Sequence, residues 1–340
     1  LGPCTLIDTA GFDDATELGE ERLEKTRLAA EKTDIAIILL ADTDMDEELH
    51  WYEQFKEKKT PVIWVIGKAD IRNDTEKINE TLYQQTGQRA IVISAATGDG
   101  MDQVRKEFVR NLPEQYGASS ILRELVTKGD LVMLVMPQDI QAPKGRLILP
   151  QVQTLRELLD KKCLVMSVTT DQYVEALSHL TEAPKLIITD SQVFAYVYEH
   201  KPKKSMLTSF SVLFAAHKGD IEYYIEGANA IGKLNGESHV LIAECCTHAP
   251  LKEDIGREKI PKMLRKRYGE NMTIDIVSGT DFPDDLQGYD LVIQCGGCMF
   301  NRKYIMSRID HAKEQQIPMT NYGVVIAYLT GILDKVVIPG

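Results

Sequence analysis

The sequence predicts an α/β protein of three domains, with parallel sheets in the first and last and a smaller α/β unit between them. Three observations carry this. Short apolar runs of strand length alternate with polar, helix-like stretches, the rhythm of a parallel sheet covered by helices. Several runs are apolar throughout, as strands buried on both faces require. The composition turns polar around "NLPEQYGASS" and "EHKPKKS", dividing the chain into 1–117, 118–203 and 204–340.

In the first domain the strand candidates are "TLIDTA", "DIAIILLAD", "PVIWVIGKAD" and "AIVISAA", with the helix-like "ELGEERLEKTRLAAEKT" between the first two. The chain opens at Leu1, without Met, in what reads as the lead-in to a strand, so a preceding N-terminal segment is expected. The middle domain offers strands "DLVMLVMP", "GRLILPQ", "CLVMSVT" and "KLIITD", a helix over "VQTLRELLDKK" and a second helix from Tyr173. Exposed sheet edges in such a unit are places where a second copy pairs, so a dimer is expected. The third domain presents strands "HVLIAE", "MTIDIVSG", "YDLVIQ" and "IPMTN" separated by helical stretches.

The chain has 340 residues, is 44% hydrophobic and carries a formal net charge of −12. That size is ample for two or three buried cores. The acidic balance argues against a broad phosphate-tracking surface, and hence against nucleic acid as a partner. The basic run "KMLRKRYG" reads as a solvated helix face. No apolar run approaches the roughly 18 residues needed to span a bilayer, so no membrane association and a cytoplasmic location are expected. Six cysteines in a chain this long do not describe a disulfide framework. Cys4 and Cys163 lie inside apolar runs and read as packed core thiols.

"LIDTAGFDD" sets Asp8, Thr9, Ala10 and Gly11 directly after an apolar run. An aspartate at a strand's end can hold magnesium through water, and the glycine lets its amide approach a terminal phosphate. Farther on, "VIWVIGKAD" puts Lys68 and Asp70 in the position of a guanine-reading NKxD element. A carboxylate there accepts two hydrogen bonds from the guanine N1 and N2 donors, which adenine lacks. "VISAATG" then supplies Ser94 and Ala95, like the SAK element behind the base. Each motif is weak alone, but the three stand in order at the carboxyl ends of strands, where open α/β sheets bind ligands. They resemble the G3, G4 and G5 elements of translation-factor-like GTPases, in particular the branch of the tRNA-modification GTPases. Two departures stand out: Gly67 replaces the usual asparagine, and neither a GxxxxGK[ST] loop nor a first switch precedes Asp8. "GANAIGKL" fits GxxxxGK but ends in Leu234, without the magnesium-binding hydroxyl, and follows the helix-like "DIEYYIE".

The last third carries Cys245, Cys246, Cys295 and Cys298. Cys246 follows "HVLIAE" and Cys295 follows "YDLVIQ", so neighbouring parallel strands would deliver both to one rim. Gly296 and Gly297 give the CxxC turn tight curvature and bare amides. Three thiolates suit either zinc, with His248 as a fourth ligand, or a 4Fe-4S cluster with one iron left to an exchangeable ligand.

"ECCTH", "QCGGC", "LTSFSVLFA" and "TNYGVVIAYLTGIL", together with the DTAGFDD half, resemble the HydF family, the GTPase scaffolds of FeFe-hydrogenase maturation. The resemblance covers essentially the whole chain. It implies a P-loop-type GTPase domain, a dimerisation domain and a cluster-binding domain, assembled as a homodimer or higher oligomer. It also implies GTP, Mg2+ and a monovalent cation as ligands, and a 4Fe-4S cluster on Cys246, Cys295 and Cys298. The implied partners are the hydrogenase apoprotein, to which a diiron precursor is delivered, and radical-SAM maturases. Where the family often reads HCGGC, this chain has Gln294, which leaves His248, solvent or another side chain for the fourth iron position. The rival from another class is a zinc-stabilised regulatory GTPase of RNA modification or ribosome assembly.

Overall fold

The computed structural model describes residues 5–9, 26–112, 120–137, 147–245, 254–279, 281–297 and 300–339. The chain forms two compact units, Leu1–Ala118 and Ser119–Gly340. Every sheet pairing among the described strands is parallel, as the uniformly apolar runs require. None of the described helices is long and apolar enough to cross a membrane.

The first unit holds a sheet of order β1-β2-β3, from Ala36–Leu40, Val62–Ile66 and Ile91–Val92. Helices α1 (Asp46–Glu57), α2 (Thr75–Thr86) and α3 (Met101–Arg110) connect and follow these strands. Trp51, Trp64, Ile66, Ile78 and Leu82 form its core. Of the helix expected over 17–33, residues 26–32 are helical among those described. The strand expected at "TLIDTA" is not formed over residues 5–9: Leu6 is 84% and Ile7 51% exposed. An apolar run becomes a strand only by laddering on a neighbour, and none pairs with this one among the described residues.

The second unit contains two sheets. The first has order β5-β4-β6-β7, from β4 (Leu131–Val135), β5 (Leu164–Val168), β6 (Leu186–Thr189) and β7 (Met206–Ser209). Helices α4 (Leu149–Asp160), α5 (Tyr173–Ser178) and α6 (Phe194–His200) link them. The expected strand "GRLILPQ" gives way to helix from Leu149, because Pro150 fits a first helical turn and Gln151 Oε1 accepts the Ile148 N–H at 3.3 Å. β7 lies beyond the limit drawn at residue 203. Its "MLTS" is half polar, yet Thr208 and Ser209 are fully buried.

The other sheet has order β11-β10-β8-β9, from β8 (His239–Ala243), β9 (Thr273–Val277), β10 (Leu291–Gln294) and β11 (Met319–Asn321). These are the four strands expected from the sequence. Helices α7 (Phe210–Lys218), α8 (Ile221–Ile231), α9 (Ile260–Tyr268), α10 (Arg302–Glu314) and α11 (Tyr322–Leu329) surround it. α7 joins the two sheets, with Phe210, Leu213 and Phe214 in the core of one and Ala215 and Ala216 in the core of the other. Cys163 is a buried thiol donating to Thr127 O, as expected of a core cysteine, and Lys262, Lys266 and Arg267 of the basic run face solvent on α9.

Candidate functional site

In the first unit, β2 and β3 run in register and release adjacent turns at their carboxyl ends. Ile93 N donates to Ile66 O at 2.8 Å and Ala69 N to Ile93 O at 3.0 Å, stitching the Gly67–Asp70 turn to the one that follows β3. Lys68 has φ 61°, a left-handed conformation that costs a lysine about 1 kcal/mol and is typical of residues held for a purpose. Ser94, 1% exposed, donates its hydroxyl to Asp70 Oδ1 at 2.6 Å, and Ser94 Oγ itself accepts the Thr97 N–H at 3.2 Å. Asp70 is thereby oriented, while Lys68, Asp70 and Ala95 face solvent. Only glycine fits at Gly100, where φ is 77° and a Cβ would lie 2.2 Å from Val92 O. At Gly67, by contrast, no atom lies within 4 Å of the missing Cβ. Asp8 is exposed in the stretch 5–9, which forms no helix or strand, and Gly11 lies outside the described residues.

In the second unit, β8 and β10 pair with Ala243 opposite Gln294. That register brings the next residues together: Cys295 N donates to Ala243 O at 3.0 Å, and Cys245 N donates to Cys295 Sγ at 3.0 Å. Cys245 and Cys295 therefore meet at one rim of the sheet. Cys246, His248 and Cys298 lie outside the described residues. Among those described, no group of three or more His, Cys, Asp or Glu side chains converges.

Behind this rim lies a polar layer that the motifs alone do not reveal. Gln294, fully buried, donates from Nε2 to Cys245 Sγ at 2.9 Å and accepts from Arg308 Nη1 at 3.1 Å through Oε1. Its side chain turns inward, so it does not take up the position of an iron ligand. The Cys245 thiol is pushed far up by its hydrogen bond to Cys295 and by burial, so it remains protonated. Lys218 Nζ, from α7, donates to Gly297 O and Phe300 O at 2.9 Å and ties down the CxxC turn. Gly297 has φ 60°, and a Cβ there would meet Ile305 Cδ1 at 2.5 Å. Glu244, the first residue after β8, accepts two bonds from Arg257 at 2.9 and 3.0 Å and one from Ser278 Oγ at 3.2 Å. Close by, the Tyr322 hydroxyl is buried with no partner among the described residues, and burial and the neighbouring Cys295 hold it well above its usual range.

The glycines of "GANAIGKL" serve packing. Gly227 lies inside α8, where its missing Cβ would fall 2.0 Å from Met319 O on β11, and Gly232 caps the helix. No phosphate loop forms there.

Comparison with known proteins gives two kinds of match. The chain is 32% identical over 127 residues to the GTPase Era of Alkaliphilus metalliredigens, covering 35% of this chain and 43% of that protein. It is 33% identical over 132 residues to the tRNA modification GTPase MnmE of Thermotoga maritima, covering 36% of this chain and 28% of the relative. For the GTPase Der of Campylobacter hominis the identity is 27% over 117 residues, 34% of this chain and 25% of the other. The chain thus spans less than half the length of these curated relatives. Residues 121–219 match the hydrogen maturase F dimerization domain and residues 222–339 match the hydrogen maturase F tetramerization domain. The two matches together take in well over half of the sequence and meet between α7 and α8, and the chain belongs to the hydrogen maturase F family.

Proposed function

We propose that this protein is a GTP-hydrolysing scaffold of FeFe-hydrogenase maturation that carries a 4Fe-4S cluster and delivers a diiron precursor to the hydrogenase. GTP and Mg2+ would be held by the first domain, with Asp8 and Gly11 at the magnesium and terminal phosphate and Lys68, Asp70, Ser94 and Ala95 around the guanine. The Asp70–Ser94 hydrogen bond supports that assignment: it fixes a carboxylate, exposed to solvent, at the end of a strand. The similarity to Era, MnmE and Der supports it independently.

The observation that carries the cluster reading is the Cys245 N–H donated to Cys295 Sγ. It supports a rim on which Cys246, Cys295 and Cys298 would hold the cluster. The donor chemistry fits: Cys295 is half-buried at the carboxyl end of a central strand, and its sulfur accepts a backbone amide, which stabilises a thiolate. When bound, such a cluster supplies an iron position open to an exchangeable ligand, to which the diiron cargo can dock. This chain's own residues do the rest. Lys218 anchors the CxxC turn, Gln294 and Cys245 fix the orientation of Cys295, and Gly297 leaves space for Ile305. Loss of the terminal phosphate would relax switch segments and so regulate partner binding. The names of the matched domains support a homodimer or higher oligomer, and radical-SAM maturases and the apo-hydrogenase are the proposed partners, in the cytoplasm.

Anaerobic reconstitution followed by iron, sulfide and zinc analysis tests this. We expect about four irons and four sulfides per chain, lost on Cys295→Ser but retained on Cys245→Ser. About one zinc without sulfide would instead establish a structural zinc site and overturn the scaffold reading.

A further inference from the structure

Arg308 lies in α10 on the stripe formed with Tyr304, Ile305, Ile309 and Ala312, and is 2% exposed. Among the described residues it has no carboxylate partner. Its hydrogen-bond acceptors among the described residues are uncharged: Gly279 O at 2.5 Å, Gln294 Oε1 at 3.1 Å, the Tyr304 hydroxyl at 3.3 Å and, more distant, Cys245 Sγ at 3.8 Å. The rings of Phe282 and Tyr304 lie 4.8 Å from its guanidinium carbon and that of Phe300 lies 5.7 Å away, while its Nε finds no acceptor among the described residues. Aromatic faces repay part of the desolvation of a buried cation. They do not cancel its charge, and a buried charge without a counter-charge is strongly disfavoured.

The nearby group that becomes anionic in a metal centre is the Cys295 thiol, and neutral Cys245 lies between it and Arg308. Arg308 Nη1 lies 3.8 Å from Cys245 Sγ, and the Gln294 amide joins the two more directly. Its Oε1 accepts a hydrogen bond from the guanidinium Nη1–H, and its Nε2 donates to Cys245 Sγ at 2.9 Å and reaches to 3.9 Å from Cys295 Sγ. The Cys245 backbone then donates to Cys295 Sγ. The Arg308 and Gln294 steps carry their positive ends toward the Cys245 sulfur, and the Cys245 amide points its own at Cys295. A neutral amide can serve as donor and acceptor at once, so Gln294 passes the polarisation on without adding charge.

We propose that Arg308 is the resident counter-charge of the thiolate-held centre, acting through Gln294 and Cys245 as a positioning residue that stabilises negative charge at Cys295 and raises the reduction potential of the cluster. This rests on the cluster reading above. Reduction adds one negative charge to the centre. A fixed cation and hydrogen bonds to the ligating sulfurs favour the reduced form and shift the potential upward.

The test uses the full chain, reconstituted anaerobically with iron and sulfide, as wild type, Arg308→Met, Arg308→Lys and Gln294→Glu. Iron and sulfide are counted per chain, and the midpoint potential is read from an electron-paramagnetic-resonance redox titration. We expect all four to load, with the potential lowered most in Arg308→Met and least in Arg308→Lys. Gln294→Glu, which neutralises the guanidinium in place and keeps the shape of the side chain, should lower it as well. Arg308→Met loaded at the wild-type potential would overturn the inference while leaving the scaffold intact. Should Arg308→Met fail to fold, an unchanged potential in Gln294→Glu overturns it equally. A wild type that takes up neither iron nor sulfide overturns both readings.

Discussion

Gly227→Ala probes how the third sheet is built. In α8 the substitution gains helix propensity, worth about 1 kcal/mol. Against this, the new Cβ would stand 2.0 Å from Met319 O and 2.6 Å from Met319 C, where ordinary contact begins at 3.4 Å. Both partners are backbone, so no rotamer relieves the clash, and α8 and β11 must part by more than an ångström. Overpacking of this kind costs about 1–3 kcal/mol, and backbone against backbone belongs at the upper end. The net expectation is a loss of about 2 kcal/mol. Urea unfolding followed by tyrosine fluorescence should move its midpoint down by about 1 M at an unchanged slope. Asn229→Ala, exposed two residues farther on, is the control, and gains a few tenths of a kcal/mol from propensity alone. β11 pairs β10 with Asn321 opposite Gln294, so the same displacement should lower iron retention after reconstitution. If Gly227→Ala proves as stable as the wild type, the close approach of α8 to β11 is wrong, and with it the packing account of the glycine.

Gly67→Asn restores the side chain that the NKxD element usually carries, and open space awaits it. One neutral hydrogen bond is worth about 1 kcal/mol, so GDP affinity in the full-length protein should rise about fivefold by isothermal titration, and a decrease would refute the assigned role of this turn. His217 supplies a pH dependence. Burial first, then Lys218, with Arg302 and Arg123 also lowering it against Glu157, holds its imidazole below the usual value. Below about pH 6.5 the unfolded chain therefore binds a proton that the folded chain refuses. The stability associated with neutral His217 is complete above that pH and is lost as pH falls through the folded value. Urea midpoints at about pH 7.5 and about pH 5.5 should differ more in the wild type than in His217→Gln, and equal differences would exclude the effect.

Much of this architecture can be read from the sequence because parallel strands buried on both faces leave plain apolar runs. "HVLIAE", "MTIDIVSG", "YDLVIQ" and "IPMTN" all became strands. "MLTS" escaped notice because two of its four residues are polar, and what buries Thr208 and Ser209 is the packing of the second unit. "GRLILPQ" misled because an apolar run does not by itself distinguish strand from helix; Pro150, favourable in a first helical turn, was the available signal. The meeting of Cys245 with Cys295 followed from the strand-end rule. Arg308 did not, since in "RKYIMSRIDHAKE" a cation looks like any solvated charge. Its spacing from Tyr304, Ile305, Ile309 and Ala312 nevertheless put it on the buried stripe, where a charge demands an account.

The two candidate sites share one physical device. In each, neighbouring parallel strands in register end together, and residues within four of the ladder's end share a hydrogen bond: Ser94 to Asp70 after β3 and β2, and Cys245 to Cys295 after β8 and β10. The partners are 24 and 50 residues apart in sequence, so local turn propensity cannot align them. Register can, because a slip of one residue turns every side chain of a strand to the opposite face. β10 is buried on both faces, so such a slip would press Leu291, Val292 and Ile293 into the packing of the opposite layer, and the cost of that misfit enforces the alignment. The positions of Asp70 and Cys295 are thus set by the apolar cores beneath them, and the turns above need only leave their functional atoms accessible.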